Sequence, residues 1–103
     1  MSDQLVVTEP EGTIVVPAAT LVGLVARAVE LVDGTRVRRP RRSVDVEVAG
    51  GSATVTLELA VRYGAVLPEV ATEVQERVAT VVEKMCGVEV SRVDVTIEEL
   101  VER

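Results

Sequence analysis

Between Val44 and Val61 the chain alternates apolar and polar residues in two runs, broken once by Gly50-Gly51. A period of two is the signature of a strand, so Val44, Val46 and Val48 fall on one face and Asp45 and Glu47 on the other. Ala53, Val55, Leu57, Leu59 and Val61 repeat the pattern after the glycines. A glycine pair between such runs predicts a tight hairpin, because glycine takes the positive φ of hairpin turns without steric cost. With Gly50 and Gly51 as the loop, Val48 faces Ala53, Val46 faces Val55 and Val44 faces Leu57. A slip of one residue would set the valines against Thr54 and Thr56, so the apolar pattern fixes the register.

Helices are expected on either side of the hairpin. Thr13 to Val16 is a short β-branched run ending at Pro17, which suits the first position of a helix. In that helix Thr20, Gly23, Arg27, Glu30 and Gly34 form one narrow polar stripe, and Leu21, Val22, Leu24, Val25, Ala28, Val29, Leu31 and Val32 cover the rest. The apolar arc is wider than one sheet can cover, which calls for a second helix of the same domain or for a subunit or partner contact. A second helix begins near Pro68, with Val70, Val74, Val78, Val81, Val82 and Met85 inward, and Thr72, Glu73, Glu76, Thr80, Glu83 and Lys84 outward. Gly87 follows where a left-handed cap is wanted. Val93, Val95 and Ile97 then mark a last strand.

The resulting order, β-α-β-β-α-β, predicts an α+β fold: a two-layer sandwich with two helices on one face of a small mixed sheet. The other sheet face carries Asp45, Glu47, Thr54, Thr56, Glu58, Arg62, Asp94, Thr96 and Glu98, and strand order stays open. Residues 1–12 show no sustained periodicity and read as a loose leader to a single domain over 13–103. The opening residues lack the basic segment and apolar core of a secretory signal. The longest uncharged stretch, Ile14 to Ala26, falls well short of the roughly 20 apolar residues that cross a bilayer. A lone cysteine, Cys86, can form no intrachain disulfide and fits a cytoplasmic location.

The chemistry of catalysis is thinly represented. There is no histidine, which removes the commonest general base and most zinc sites, and no phosphate loop, dinucleotide fingerprint or paired-cysteine motif occurs. Carboxylates alternate with core positions and so face water, whereas a general acid needs burial or a close like charge. Cys86 lacks a base to form its thiolate and reads as a small, partly buried helix residue. No enzymatic activity, cofactor, metal or small-molecule substrate is therefore expected. One cluster stands out: Arg36, Arg38, Arg39, Arg41 and Arg42 gather five of the eleven basic residues in a chain of net charge −6. Guanidinium matches phosphate bidentately, so this loop is the candidate anion or partner contact. A solubilising loop, or one neutralising the acids of its own domain or of its oligomer mates, is the plainer alternative.

Val61 to Leu100 closely resembles the alkaline shock, or cell-envelope stress response, protein family. The resemblance rests on YGAVLPEVA from Tyr63, on the Val-Gln that ends at Gln75, and on the closing CGVEVSRVDVTI. Thr13 to Pro17 is similar to the short opening strand of that family, so the likeness runs from Gly12 to about Val101. Its motif residues Tyr63, Gly64, Pro68, Glu69, Gln75 and Gly87 make structural sense: a strand end, a turn, a helix start with an acid at the positive dipole end, and a cap. The resemblance implies a non-catalytic bacterial protein of cell-envelope homeostasis and stress response. It would be cytoplasmic or peripheral to the inner membrane face, self-associating, and held near the membrane by a separate anchor protein. The short DGTRVRRPRRS segment departs from the longer glycine-rich loop of many members. The alternative reading is a small nucleic-acid-binding module using the Arg36–Arg42 loop, which the lack of aromatic stacking platforms disfavours.

Overall fold

The computed structural model describes residues 4–102. In chain order its elements are β1 (Leu5–Glu9), β2 (Gly12–Val16), α1 (Ala18–Glu30), β3 (Thr35–Arg36), α2 (Pro40–Ser43), β4 (Val44–Ala49), β5 (Ser52–Arg62), α3 (Leu67–Cys86) and β6 (Glu89–Val101). This is the α+β sandwich expected, with three small elements added. The β4–β5 hairpin has the register that the valine pattern requires: Val44 opposite Leu57, Val46 opposite Val55, Val48 opposite Ala53. Gly50 and Gly51 both take positive φ, 58° and 78°, a turn whose twist suits the flanking strands.

Strand order follows from the length of α3. Its 20 residues rise about 30 Å, close to the roughly 36 Å of the 11-residue β5, so the chain returns to the end where β5 began. Gly87, at φ 68°, caps the helix and reverses the chain, its N–H donating to Glu83 O at 3.1 Å. Thus β6 pairs parallel to β5, from Ser52 opposite Glu89 to Arg62 opposite Val101. The ladder steps from Val90 to Arg92 and from Ile97 to Glu99, leaving Ser91 and Glu98 as bulges. The Ser91 hydroxyl is occupied there, within 3.2 Å of both Ala53 O and Thr54 Oγ1.

One apolar cluster lies between the sheet and the two long helices. Val55, Leu57, Leu59 and Val61 of β5 are fully buried, as are Val29 of α1 and Val74 and Val78 of α3. Each such side chain contributes about 1.5–3 kcal/mol relative to exposure. The outward stripe of α1 is exposed at Thr20, Gly23, Arg27 and Glu30, and α1 packs on both α3 and β4. The wide apolar arc therefore meets a helix and a sheet at once, as the first of the two sequence readings has it.

Four details differ from expectation. The loose leader is corrected for Leu5–Glu9, which forms β1 and pairs antiparallel with β2, Leu5 opposite Val16. Leu5 enters the core, and Val7 and Val16 pack against it; residues 1–3 lie outside the described residues. The opening strand β2 joins this separate two-stranded sheet, not the main one. Helix α1 stops at Glu30, before Gly34, which takes φ 82° in the following turn. Met85, assigned to the inward stripe of α3, is 72% exposed, because the stripe drifts off the sheet in the last turn.

Replacing Leu57 by Ala should cost about 2–5 kcal/mol in urea unfolding, since it empties a site walled by β-sheet and both long helices. The same truncation at Val6, 48% exposed on the β1–β2 sheet, should cost under about 0.5 kcal/mol.

Candidate partner-binding surface

The arginine segment is held in place by its neighbours. Thr35 ties β3 to the end of α1: its Oγ1 donates to Val29 O or Val32 O, at 2.6 and 2.8 Å. The carbonyl of Gly34 accepts from Arg62 N–H at 2.9 Å. Strand β3 then pairs with Val61 and Ala60 of β5, while β4 joins the same edge only from Leu57 onward. Glu58 and Leu59 are left without a strand partner on that edge, and residues 37–43 bridge the gap. Val37 and Val44, each 4% exposed, bury the two ends of the bridge. Between them Arg39 accepts from the N–H groups of Arg42 and Ser43 at 2.9 and 2.8 Å, closing one helical turn with Pro40 at its start.

The five arginines do not share one environment. Arg38 crosses the outer sheet face to Glu99, Nε to Oε1 at 3.0 Å. The register explains its path: Arg36 and Glu99 flank Ala60 on opposite sides. Ala60 is 1% exposed although it faces the polar side of the sheet, so a methyl side chain is what leaves room beneath the guanidinium. This pair neutralises one acid of the same domain, as the plainer reading of the loop requires. Arg36, Arg39, Arg41 and Arg42 have no ion-pair partner among the described residues. All four are exposed.

Two depressions flank the turn. One, of about 520 Å³, lies between Arg38, Arg39, Arg42 and Ser43 and the acids Glu58, Glu98 and Glu99. The other lies toward α1, where Ala19, Val22, Gly23 and Pro40 face Arg39, Arg41 and Arg42. Sequence reasoning missed Glu99, Ala60 and Val22 as parts of this surface. An alanine at an outward strand position, Ala60, was the one signal available.

The family-motif residues lie apart from this turn and shape the α3–β6 unit. Tyr63 is 70% exposed, with its N–H donating to Val101 O at 2.6 Å, and Gly64 takes φ 101° in the turn that follows. Pro68 and Glu69 occupy the first turn of α3. Gln75 donates from Nε2 to Val93 O at 3.0 Å, and Glu83 Oε2 accepts from Val90 N–H at 3.1 Å. Side chains of α3 thus occupy backbone groups at the start of β6. Cys86 is half-buried, and burial pushes its thiol pKa up, away from the thiolate. Among the described residues no group of three side chains is placed to hold a metal ion, and no helix is long and apolar enough to cross a membrane.

Residues 11–102 match the model of the alkaline shock protein 23 family, which is described as having a cell envelope-related function. No curated protein and no solved structure matches the chain.

A double-mutant cycle on Arg38→Gln and Glu99→Gln should give a coupling of under about 1 kcal/mol, because both side chains are nearly half exposed. Thermal melts at low and high salt check it, and the coupling should shrink as salt rises.

Proposed function

Because the chain belongs to the alkaline shock protein 23 family, whose function is cell envelope-related, we propose that it is a non-catalytic scaffold or adaptor of envelope homeostasis and stress response. It works on the cytoplasmic side, through association with itself and through contact with a membrane surface or a membrane-anchored partner. The family is not a known enzyme family. The absence of histidine and the raised thiol pKa of Cys86 add support for a chain that binds without transforming what it binds.

The observation that carries self-association is an apolar groove between α1 and α3. Leu24, Ala28 and Leu31 line one side and Val81 and Met85 the other, with Gly23 lowering the α1 wall. Leu31 and Met85 are 65% and 72% exposed. Two large apolar side chains bordering one groove mark a surface that gains from being covered. Leu31 belongs to the wide apolar arc of the first helix and is the part of it that α3 and the sheet leave most exposed.

Sedimentation velocity across a micromolar concentration series should show species larger than the monomer. Leu31→Glu with Met85→Glu should shift the distribution to monomer while leaving the melting temperature nearly unchanged, since both sites are exposed. A wild-type chain that stays monomeric throughout the series would sink this reading.

A further inference from the structure

Resting on the proposal of membrane-surface contact, we infer that the turn carrying Arg39, Arg41 and Arg42, together with Arg36 on the adjoining strand β3, docks directly on a bilayer of anionic phospholipid, with Arg38 holding the turn in position instead of touching lipid. The division comes from the ion pairs. Arg38, Arg62, Arg77 and Arg92 are each within 4.0 Å of a carboxylate. Arg36, Arg39, Arg41 and Arg42 have none, in a chain that carries six more acids than bases. Arg27 and Lys84 are likewise without a carboxylate partner among the described residues, but they stand singly, whereas Arg36 to Arg42 gathers four unpaired cations within seven residues, a local positive field that an anionic surface complements.

The arrangement favours an extended array of phosphates over a single one. Arg39 and Arg42 border the depressions on both sides of the turn, and Arg41 borders only the one toward α1. Arg39, Arg41 and Arg42 share the depression toward α1 while Arg36 borders neither depression, so the exposed cations extend beyond any one hollow and suit the many phosphates of a surface. Guanidinium binds phosphate as a bidentate fork. Pro40 and Ala19 lie exposed beside them, with Val22 half-buried, which gives the contact an apolar margin. Nucleic acid fits less well, since Tyr63 is the one aromatic residue on which a base could stack. The net charge of −6 does not prevent docking: charge lying more than about 8 Å from the surface is largely screened at physiological salt, and the nearby acids Glu58, Glu98 and Glu99 border only the depression on the sheet side, while the side toward α1, with Arg39, Arg41 and Arg42, is lined by no carboxylate. The same imbalance orients the molecule, turn inward and acids outward.

The test is co-sedimentation of the full chain with vesicles of phosphatidylglycerol in phosphatidylcholine, and with vesicles of phosphatidylcholine alone. Binding should require phosphatidylglycerol and should fall as salt rises. Each arginine at the surface is worth about fivefold in affinity, so the triple variant R39Q/R41Q/R42Q should bind on the order of a hundredfold more weakly. R62Q/R77Q/R92Q, which makes the same change in net charge at paired sites, should retain binding. Sedimentation velocity of R39Q/R41Q/R42Q should match the wild type, which separates loss of the lipid site from loss of self-association. Equal binding to both vesicle types, an unaffected R39Q/R41Q/R42Q, or equal loss in the charge-matched control would each overturn the inference. So would binding to single-stranded RNA without binding to phosphatidylglycerol.

Discussion

The structure depends on burying one face of β5. Ala53, Val55, Leu57, Leu59 and Val61 are each at most 1% exposed, and every other strand of the main sheet pairs with this one. Strand β5 is paired with β6 along its whole length and, on the other edge, with β4 and β3 as far as Val61 except at Glu58 and Leu59, and its buried face is apolar throughout. Both long helices then lie on that single face because nothing else in the molecule presents so continuous an apolar surface. The β1–β2 sheet joins by a smaller contact, through Leu5 and its neighbours, which leaves Val6 and Val15 half exposed on its far side.

From β5 also follows the geometry of the arginine turn. Two short strands, β3 and β4, share one edge of β5 and leave a gap of two residues between them. The connecting segment must span that gap, and burial of Val37 at one end and of Ser43 and Val44 at the other leaves residues 38–42 facing outward. A cluster of like charges could not be held on a buried segment, since desolvating each guanidinium without a partner costs several kcal/mol. The turn thus concentrates positive charge at one exposed place, while Arg38 alone folds back over Ala60 to Glu99.

The proposed self-association and the inferred lipid contact rest on chemically different surfaces of one small body. The α1–α3 groove is apolar, the arginine turn is cationic and the outer sheet face is largely acidic. The apolar groove and the cationic turn thus suit the two proposed contacts separately. The groove ends in Met85, whose flexible thioether adapts to varied partners.

Much of the fold was legible from local pattern. Alternation assigned the faces of β4, β5 and β6, Gly50-Gly51 set the hairpin register, and Gly87 marked the end of α3, because each of these is dictated by dihedral preference and periodicity within a few residues. The same pattern hid β1: Leu5 to Thr8 is a short apolar run without alternation, and only its pairing with β2 makes it a strand. The charge of the arginine segment was equally plain, since composition is read directly from the sequence. What tertiary structure decided was which of those charges are free. Arg38 and Arg39 are adjacent and chemically identical, yet one meets Glu99 and the other meets no carboxylate. That difference is set by the parallel placement of β6 across β5 and by the bulge at Glu98 that brings Glu99 opposite Ala60. Periodicity determines which way a side chain points, but its neighbour comes from chain closure between distant segments, and no local preference encodes that.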